Sequence, residues 1–274
     1  QDRFQGIAAI HTLGDDETIA KLSNGIKRFK LTDEFNPIHQ TQLLAASESK
    51  EYAEPAMHKT IEPSILYFGT PVVVVSTLNE DESTNIAPMS SAWWLGWSCM
   101  LGLDATSKTT ANLKRTGECV LNLAADQNVG AVNDLALLTG SASLPPHKQA
   151  LGYRSSARKF EAAGLTRQAS ELVRPDGIRE FTVRLEATVQ NIHDFAAKDP
   201  RMAIRACAVE VTIQRVHAED SLLDKEHPHR IDPDRWRPLI MSFRQFFGLA
   251  TINHASRLGL GPEEMYAPWK TRTQ

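Results

Sequence analysis

Apolar and polar residues alternate along two stretches in the second half of the chain. Every second residue is apolar from Phe181 to Val189, and the same spacing runs from Cys207 to Ile213. Successive side chains of a strand point to opposite faces, so this period of two predicts strands with one buried and one solvated face. Polar residues lie between the apolar ones, and we expect them to face solvent: Thr182, Arg184, Glu186, Thr188, Glu210, Thr212 and Gln214. Such strands are typical of antiparallel sheets and barrels.

The rest of the chain contains further strand candidates. Residues 72–75 form a β-branched run, and the polar residues 79–84 supply a turn into a second extended segment, which predicts a β-hairpin. Residues 97–103 and 119–123 are two more candidates, and residues 238–250 are the last. Because strands occur in both halves with helices between them, a single closed sheet explains the pattern better than parallel βαβ units.

Helical patterns separate these strands. Residues 107–116 carry helix-forming side chains and are followed by Gly117. Asp126 is positioned to cap a second helix that Gly140 ends, and two prolines at 145–146 start a short third one.

The domain organisation follows from these patterns. We expect a polar, helical amino-terminal extension over residues 1–60 and one β domain over residues 61–274. A helical insertion at about 125–165 interrupts that domain.

Composition narrows the function. The 274 residues carry a net charge of -3, with 42% hydrophobic and 23% charged residues, so we expect a globular protein that binds neither nucleic acid nor a membrane. The start of the chain lacks the basic and apolar regions of a secretory signal, and the three cysteines are widely spaced. We therefore expect buried, reduced thiols and a cytoplasmic location.

Several kinds of site lack support. No GxGxxG, Walker or GxSxG motif is present, which removes the usual signals for Rossmann, P-loop and hydrolase sites. His227 and His229 are separated by a proline without a third ligand nearby, so we predict a solvated loop and no metal.

Two neighbouring segments, TNIAPMSSAWWLGW (84–97) and LGLDATSKTTANL (101–113), carry the candidate chemistry. Ser107 and Lys108 lie at a predicted helix start, where backbone N–H groups and the helix dipole favour an anion such as phosphate. The alternative is an ordinary N-cap beside a solvated lysine. Pro88 cannot donate a ladder hydrogen bond, so it predicts an edge, a bulge or an opening in a strand.

Residues 65–123 resemble the flavin reductase-like branch of the FMN-binding split-barrel proteins. In that family an N-x-A-P-x-S strand lies along the isoalloxazine ring, and a K-T-x-x-N element holds the ribityl phosphate. The resemblance implies a ring platform formed by Asn85, Ala87, Pro88, Met89, Ser90 and Ser91. It implies a phosphate site formed by Ser107, Lys108, Thr109 and Asn112. The expected fold is a mainly β, Greek-key split barrel with peripheral helices.

The resemblance also implies an enzyme. We expect NADH or NADPH to pass a hydride to N5 of the flavin, with Ser90 and Ser91 as the catalytic residues that donate to its N5–O4 edge. One lysine-centred phosphate site suits FMN better than FAD. Alternatives on the same barrel are an oxidase or biosynthetic redox enzyme with a bound organic substrate, and a non-catalytic electron carrier.

The last predicted strand departs from the family pattern, and a cluster of tryptophans bears on the oligomeric state. Many reductases of the family place a histidine or tyrosine on the last barrel strand, whereas this chain has Ser242, Arg244, Phe246 and Phe247 there. Trp93, Trp94 and Trp97 favour packing in a core or a subunit interface over flavin stacking, and Trp93 and Trp97 share a face if the segment is extended. Family members are commonly homodimers with the flavin at the subunit boundary, so we expect a homodimer.

Overall fold

A computed structural model describes residues 57–249 of the chain. Its strands, in chain order, are β1 (Phe68–Pro71), β2 (Val73–Leu78), β3 (Thr84–Met89), β4 (Ala92–Leu95), β5 (Ser98–Asp104), β6 (Glu118–Leu123), β7 (Leu138–Thr139), β8 (Arg154–Ser155), β9 (Arg167–Gln168), β10 (Gly177–Ile178), β11 (Val183–Phe195), β12 (Ala206–Ala218), β13 (Leu239–Ser242) and β14 (Gln245–Gly248). Its helices are α1 (Lys108–Thr116), α2 (Val129–Leu135), α3 (Pro146–Ala150) and α4 (Lys159–Ala162), with short 3₁₀ turns at Asp126–Asn128 and Asp220–Leu222. The expected extension over residues 1–60 lies outside the described residues, except for 57–60, which are neither helix nor strand.

A seven-stranded antiparallel sheet with the order β3-β2-β6-β11-β12-β5-β4 forms the centre of the domain. Its two edge strands, β3 and β4, are consecutive in the chain and are joined by Ser90 and Ser91. A second sheet, β1-β13-β14, adjoins the first at Val72, whose N–H donates to the Leu239 carbonyl at 2.9 Å. The expectation of a mainly β fold is confirmed.

Strand β2 separates two hydrophobic cores. Val73 and Val75 pack in one core with Leu113 of α1, whereas Val72 and Val74 pack in the other. All six residues of β2 are buried, which explains why the sequence shows a continuous β-branched run there instead of an alternation.

The predicted hairpin, the strands around residues 97–103 and 119–123, and helix α1 are confirmed. The alternation predicted for residues 207–213 is also confirmed, because every second side chain of β12 from Cys207 to Ile213 is buried. Pro88 lies on the edge strand β3, as a missing N–H requires. Ser107 caps α1, and Gly117 ends it with a φ of 69°.

The prediction of a solvent-facing side chain was wrong for Thr182, which is 8% exposed, and for Glu186. The Glu186 side chain is only 1% exposed, and its carboxylate accepts N–H bonds from Glu171, Leu172 and Val173 at 2.6 to 3.1 Å. His217 Nε2 lies 2.6 Å from Oε1 of the same carboxylate. A buried carboxylate needs such partners, and here it fixes a loop that has no regular structure of its own.

The prediction of one strand over residues 238–250 was also wrong. The described part of this segment is a hairpin, β13 and β14, with a turn at Phe243 and Arg244. Both turn residues have positive φ, 45° and 66°, a conformation for which neither residue type gives a sequence signal.

The segment around 125–165 contains shorter helices than expected. Ala125, not Asp126, precedes the first 3₁₀ turn, and α2 ends at Leu135. The chain then pairs in parallel as β7 and β8, so Gly140 follows a strand instead of ending a helix. The short helix that begins at Pro146 is confirmed.

Three further observations concern surface and core. The tryptophan segment turns at Gly96, with a φ of 60°, so it is not extended throughout. Cys99, Cys119 and Cys207 are buried and unpaired, as expected. None of the helices within residues 57–249 has the length and hydrophobicity needed to span a bilayer.

Candidate functional site

The edge strand β3 and the start of α1 meet at a cavity. One side of this cavity, the strand–helix wall, contains six of the predicted site residues: Asn85, Ala87, Pro88, Ser107, Lys108 and Thr109. Two sequence segments about 20 residues apart are thus brought together by the register of β3 and by the chain reversal between β5 and α1.

The start of α1 is well ordered by local hydrogen bonds. Ser107 Oγ accepts the Thr110 N–H at 3.1 Å, and Thr110 Oγ1 donates to the Asp104 carbonyl at 2.8 Å. The first turn of α1 contains no acidic residue. Because the first N–H groups of a helix have no partner within it, this end of α1 favours an anion.

The opposite side of the cavity, the insertion wall, comes from residues 136–159. Its lining residues, which sequence reasoning missed, are Ala136, Leu138, Thr139, Gly140, Lys148, Tyr153 and Lys159. No motif marks them, since most lie in short elements or loops whose positions depend on tertiary contacts.

Three lysines line the cavity. Lys108 Nζ binds the carboxylate of Glu80, and Lys148 Nζ lies 2.8 Å from Oδ2 of Asp104. Lys159 Nζ instead donates to two neutral oxygens, Asn85 Oδ1 at 3.0 Å and the Ile86 carbonyl at 2.8 Å. Lys159 is 4% exposed, and this burial lowers the pKa of its ammonium to about 8.

A chain of side-chain amides and a hydroxyl supports the strand–helix wall from behind. Asn85 Nδ2 donates to Thr77 Oγ1 at 3.4 Å, and Asn112 Nδ2 donates to the same oxygen at 3.1 Å and to Asn79 Oδ1 at 2.9 Å. Asn112 is fully buried and does not line the cavity, and its Oδ1 has no partner among the described residues. This network couples β2, β3 and α1, and through Lys159 it reaches the insertion wall.

The other predicted residues lie beyond the cavity. Met89 packs against the first hydrophobic core. Ser90 and Ser91 form the link between the two edge strands, where the hydroxyls of Ser91 and Tyr67 are hydrogen-bonded and the Ser91 carbonyl accepts the Gly102 N–H at 2.7 Å. None of these three predicted residues lines the cavity.

Gly140 allows the two walls to approach closely. A Cβ atom at this position would lie 2.5 Å from Asn85 Oδ1 and 3.1 Å from Lys108 Cγ. Real Cβ atoms do not approach a neighbour to 2.5 Å, so any side chain here would displace Asn85, which Lys159 holds in place.

The donor set of the cavity suits a phosphate-bearing cofactor. Ammonium groups, hydroxyls and the start of a helix converge on a volume of about 130 Å³. An adjoining cavity of about 320 Å³ shares Asn85, Lys108, Gly140 and Lys159 with the first. Since pockets for whole organic ligands span roughly 300–1,000 Å³, the smaller cavity matches one end of such a ligand.

His227 and His229 lie elsewhere, in an exposed loop where Asp224 Oδ1 contacts His227 Nδ1 at 3.2 Å. Residues 57–249 contain no group of three or more His, Cys, Asp or Glu side chains arranged for a metal ion.

Comparison with known proteins gives a consistent family. The chain is 40% identical over 192 residues, 70% of its length, to the uncharacterised protein YdfE of Bacillus subtilis (strain 168), of which 89% is covered. Flavoredoxin of Desulfovibrio vulgaris (Miyazaki F) has a similar fold, with a TM-score of 0.58 and 17% identity over 73% of this chain and 98% of the other. A protein with a split barrel domain from Shewanella frigidimarina NCIMB 400 aligns with a TM-score of 0.52 and 15% identity, over 69% and 86% of the two chains.

The family model described as the flavin reductase like domain matches residues 65–250. This range contains both cavity walls and all the predicted site residues. The expected split barrel is therefore confirmed, and the chain belongs to the flavin reductase-like domain family, which supports a flavin-related oxidoreductase function.

Proposed function

We propose that this protein binds FMN and catalyses hydride transfer from NADH or NADPH to the flavin. The observation that carries the proposal is the convergence of Lys108, Lys148 and Lys159 with the start of α1 on one cavity beside the edge strand β3. Bound flavin would supply the redox chemistry, accepting a hydride at N5 and passing electrons onward.

The residues of the chain would bind and orient the cofactor. Ser107, Lys108 and Thr109 line the cavity at the start of α1 and would bind the phosphate, and one such site favours FMN over FAD. Asn85, Ala87 and Pro88 would form the platform beside the ring, where Pro88 leaves its strand without one ladder donor.

The remaining predicted residues have more distant roles in this proposal. Asn112 would act by positioning, because both hydrogens of its amide group are engaged by Thr77 and Asn79. Met89, Ser90 and Ser91 continue the β3 platform past the cavity, and Ser90 and Ser91 would donate to the N5–O4 edge of the ring. The ring would therefore extend from the cavity toward the link between β3 and β4.

We further propose a homodimer with the flavin at the subunit boundary. Trp93, Leu95 and Trp97, on the edge strand β4 and the turn after it, are 57%, 68% and 48% exposed. Large adjacent apolar side chains at a sheet edge are typical of interfaces. Light scattering is expected to report a dimer at micromolar concentration, and a species near the monomer mass of 30.4 kDa would contradict it.

A non-catalytic electron carrier is the second candidate. The hairpin of β13 and β14, residues 239–248, contains neither histidine nor tyrosine, the residues that many reductases of the family place near the nicotinamide. A catalyst acting on a bound organic substrate would use the same flavin site.

The three buried, unpaired thiols also support a cytoplasmic location for whichever of these functions applies.

Two measurements test the proposal. Titration with FMN is expected to give saturable binding below about 10 μM, and failure to bind FMN or FAD at tens of micromolar would refute it. Steady-state oxidation of NADH and NADPH with added FMN then separates the candidates. Turnover supports a reductase, whereas tight FMN binding without turnover supports the electron carrier.

A further inference from the structure

The three lysines of the cavity differ in their counter-charges. Lys108 is paired with Glu80 and Lys148 with Asp104, so each already has an anion beside it. Within residues 57–249 Lys159 has no carboxylate partner, and its hydrogen bonds go to an amide oxygen and a backbone carbonyl.

Lys159 is also the most buried of the three. It is 4% exposed, compared with side-chain exposures of 21% for Lys108 and 18% for Lys148. A buried ammonium without a counter-ion is unfavourable, and an anion in the cavity that it lines would compensate for its charge.

The geometry leaves Lys159 one hydrogen to offer. An ammonium has three donors, and the described residues accept two of them. The side chain of Lys159 lines both adjoining cavities, so an anion bound where the two cavities meet would lie near its ammonium group.

The backbone of Lys159 is held in place. The next residue, Phe160, is 1% exposed in the second hydrophobic core, and its carbonyl accepts the Leu165 N–H at 2.8 Å. Gly140 packs against Asn85, the acceptor of Lys159. The ammonium is therefore preorganised, which reduces the entropic cost of binding an anion.

We infer that Lys159 binds the phosphate of the flavin nucleotide directly, and that it carries much of the discrimination between FMN and unphosphorylated flavin. This inference rests on the proposed function and adds to it a residue from the insertion wall. Lys108 contributes as well, but a phosphate must share it with Glu80, whereas no carboxylate among the described residues is bonded to Lys159.

The inference predicts a pH dependence. The pKa of Lys159 is lowered to about 8 by burial, and a bound phosphate dianion would raise it by favouring the charged form. Above pH 8 binding must then be accompanied by proton uptake. The other charged or titratable groups around the two cavities are Glu80, Asp81, Asp104, Lys108, Lys148 and Tyr153, and those on α2, on α4 and at the residue before α4 are Asp134, Glu161 and Arg158.

The first test uses the wild-type protein. The dissociation constant for FMN is expected to rise about tenfold from pH 7 to pH 9, because one proton is linked to binding through a group with a pKa of about 8. The phosphate itself loses its second proton near pH 6 and stays dianionic throughout. Riboflavin affinity should change little, which controls for titration of the ring.

Calorimetry measures the proton directly. At pH 8.5, in two phosphate-free buffers of different ionisation enthalpy, FMN binding is expected to take up about three quarters of a proton, the fraction of Lys159 that is neutral. Riboflavin should take up none. Inorganic phosphate is a separate arm: competition with FMN but not with riboflavin would place the anion at the same site.

Variants assign the effect to one side chain. Lys159→Met should bind FMN at least tenfold more weakly at pH 7, retain riboflavin binding and lose the pH dependence. Arg158→Met is the matched control, since Arg158 is the adjacent, exposed cation and does not line the cavity. It should behave as wild type.

The outcomes are distinguishable. If wild type binds neither FMN nor FAD, the proposed function fails and this inference with it. If Lys159→Met binds FMN as tightly as wild type at pH 7, Lys159 does not bind the phosphate, although the proposed function remains. The same conclusion follows if the variant keeps the pH dependence. If Lys159→Met does not fold, Lys159→Gln, which keeps a side-chain hydrogen-bond donor but removes the charge, serves in the same comparison.

Discussion

The strand–helix wall and the insertion wall of the cavity hold their lysines in different ways. On the first wall Lys108 follows the cap residue of a nine-residue helix and is paired with an exposed carboxylate. On the second wall Lys159 begins a helix of only four residues and is buried against neutral oxygens. The long helix thus positions Lys108, whose charge is partly neutralised by Glu80 and screened by solvent. The short helix positions Lys159, which is shielded from solvent and has no carboxylate partner among the described residues, so its charge is available to a ligand.

Among changes to the strand–helix wall and its junction with the insertion wall, the largest effect is expected when Lys108 is removed. Lys108→Ala should weaken FMN binding by about 1.5–3 kcal/mol, the usual size of a hydrogen bond to a charged group. Riboflavin should bind the variant and wild type almost equally, and turnover should recover at saturating FMN. Loss of riboflavin binding or low turnover at saturation would mean that Lys108 does more than bind the phosphate.

A change at the junction of the two walls should have a slightly smaller effect. Gly140→Ala places a Cβ atom against Asn85 and Lys108, and such overpacking typically costs about 1–3 kcal/mol. We expect a lower melting temperature and weaker FMN binding. Gly130→Ala is the control, because a Cβ there meets no neighbour within 4 Å. Equal behaviour of the two variants would show that the close approach of the walls is unimportant.

The smallest effect should be an increase in FMN affinity. Glu80→Gln removes the carboxylate that shares Lys108, so FMN affinity is expected to rise severalfold while riboflavin affinity stays constant. Asp81→Asn removes a neighbouring exposed charge that binds Ser83 instead, and it should change FMN affinity less. Equal gains in both variants would indicate a general effect of net charge, which added salt would screen.

The contrast between the walls also explains what sequence could predict. The hairpin of β2 and β3 and the helix start at Ser107 have local signals, namely β-branched residues, a polar turn and a cap. The burial of Lys159 depends on contacts with Asn85 and Ile86, which are more than 70 positions away in the sequence, so no local pattern predicts it.

The wrong predictions for residues 238–250 and for Glu186 have similar causes. The turn at Phe243 and Arg244 lacks the glycine or asparagine that usually marks a hairpin, so β13 and β14 were expected to be one strand. Glu186 has the spacing of a solvated residue, but the loop at 171–173 covers it and supplies its hydrogen bonds. In both cases a tertiary arrangement overrides a local preference.

The three buried thiols have a consequence for the durability of the protein. Reduced flavins react with dioxygen to form hydrogen peroxide, an oxidant that attacks cysteine mainly as the thiolate. Burial raises the pKa of Cys99 to about 12 and also raises that of Cys119, so neither is ionised at neutral pH. A protein proposed to handle reduced flavin thus keeps these two cysteines in the thiol form, which the by-product of its own cofactor oxidises slowly.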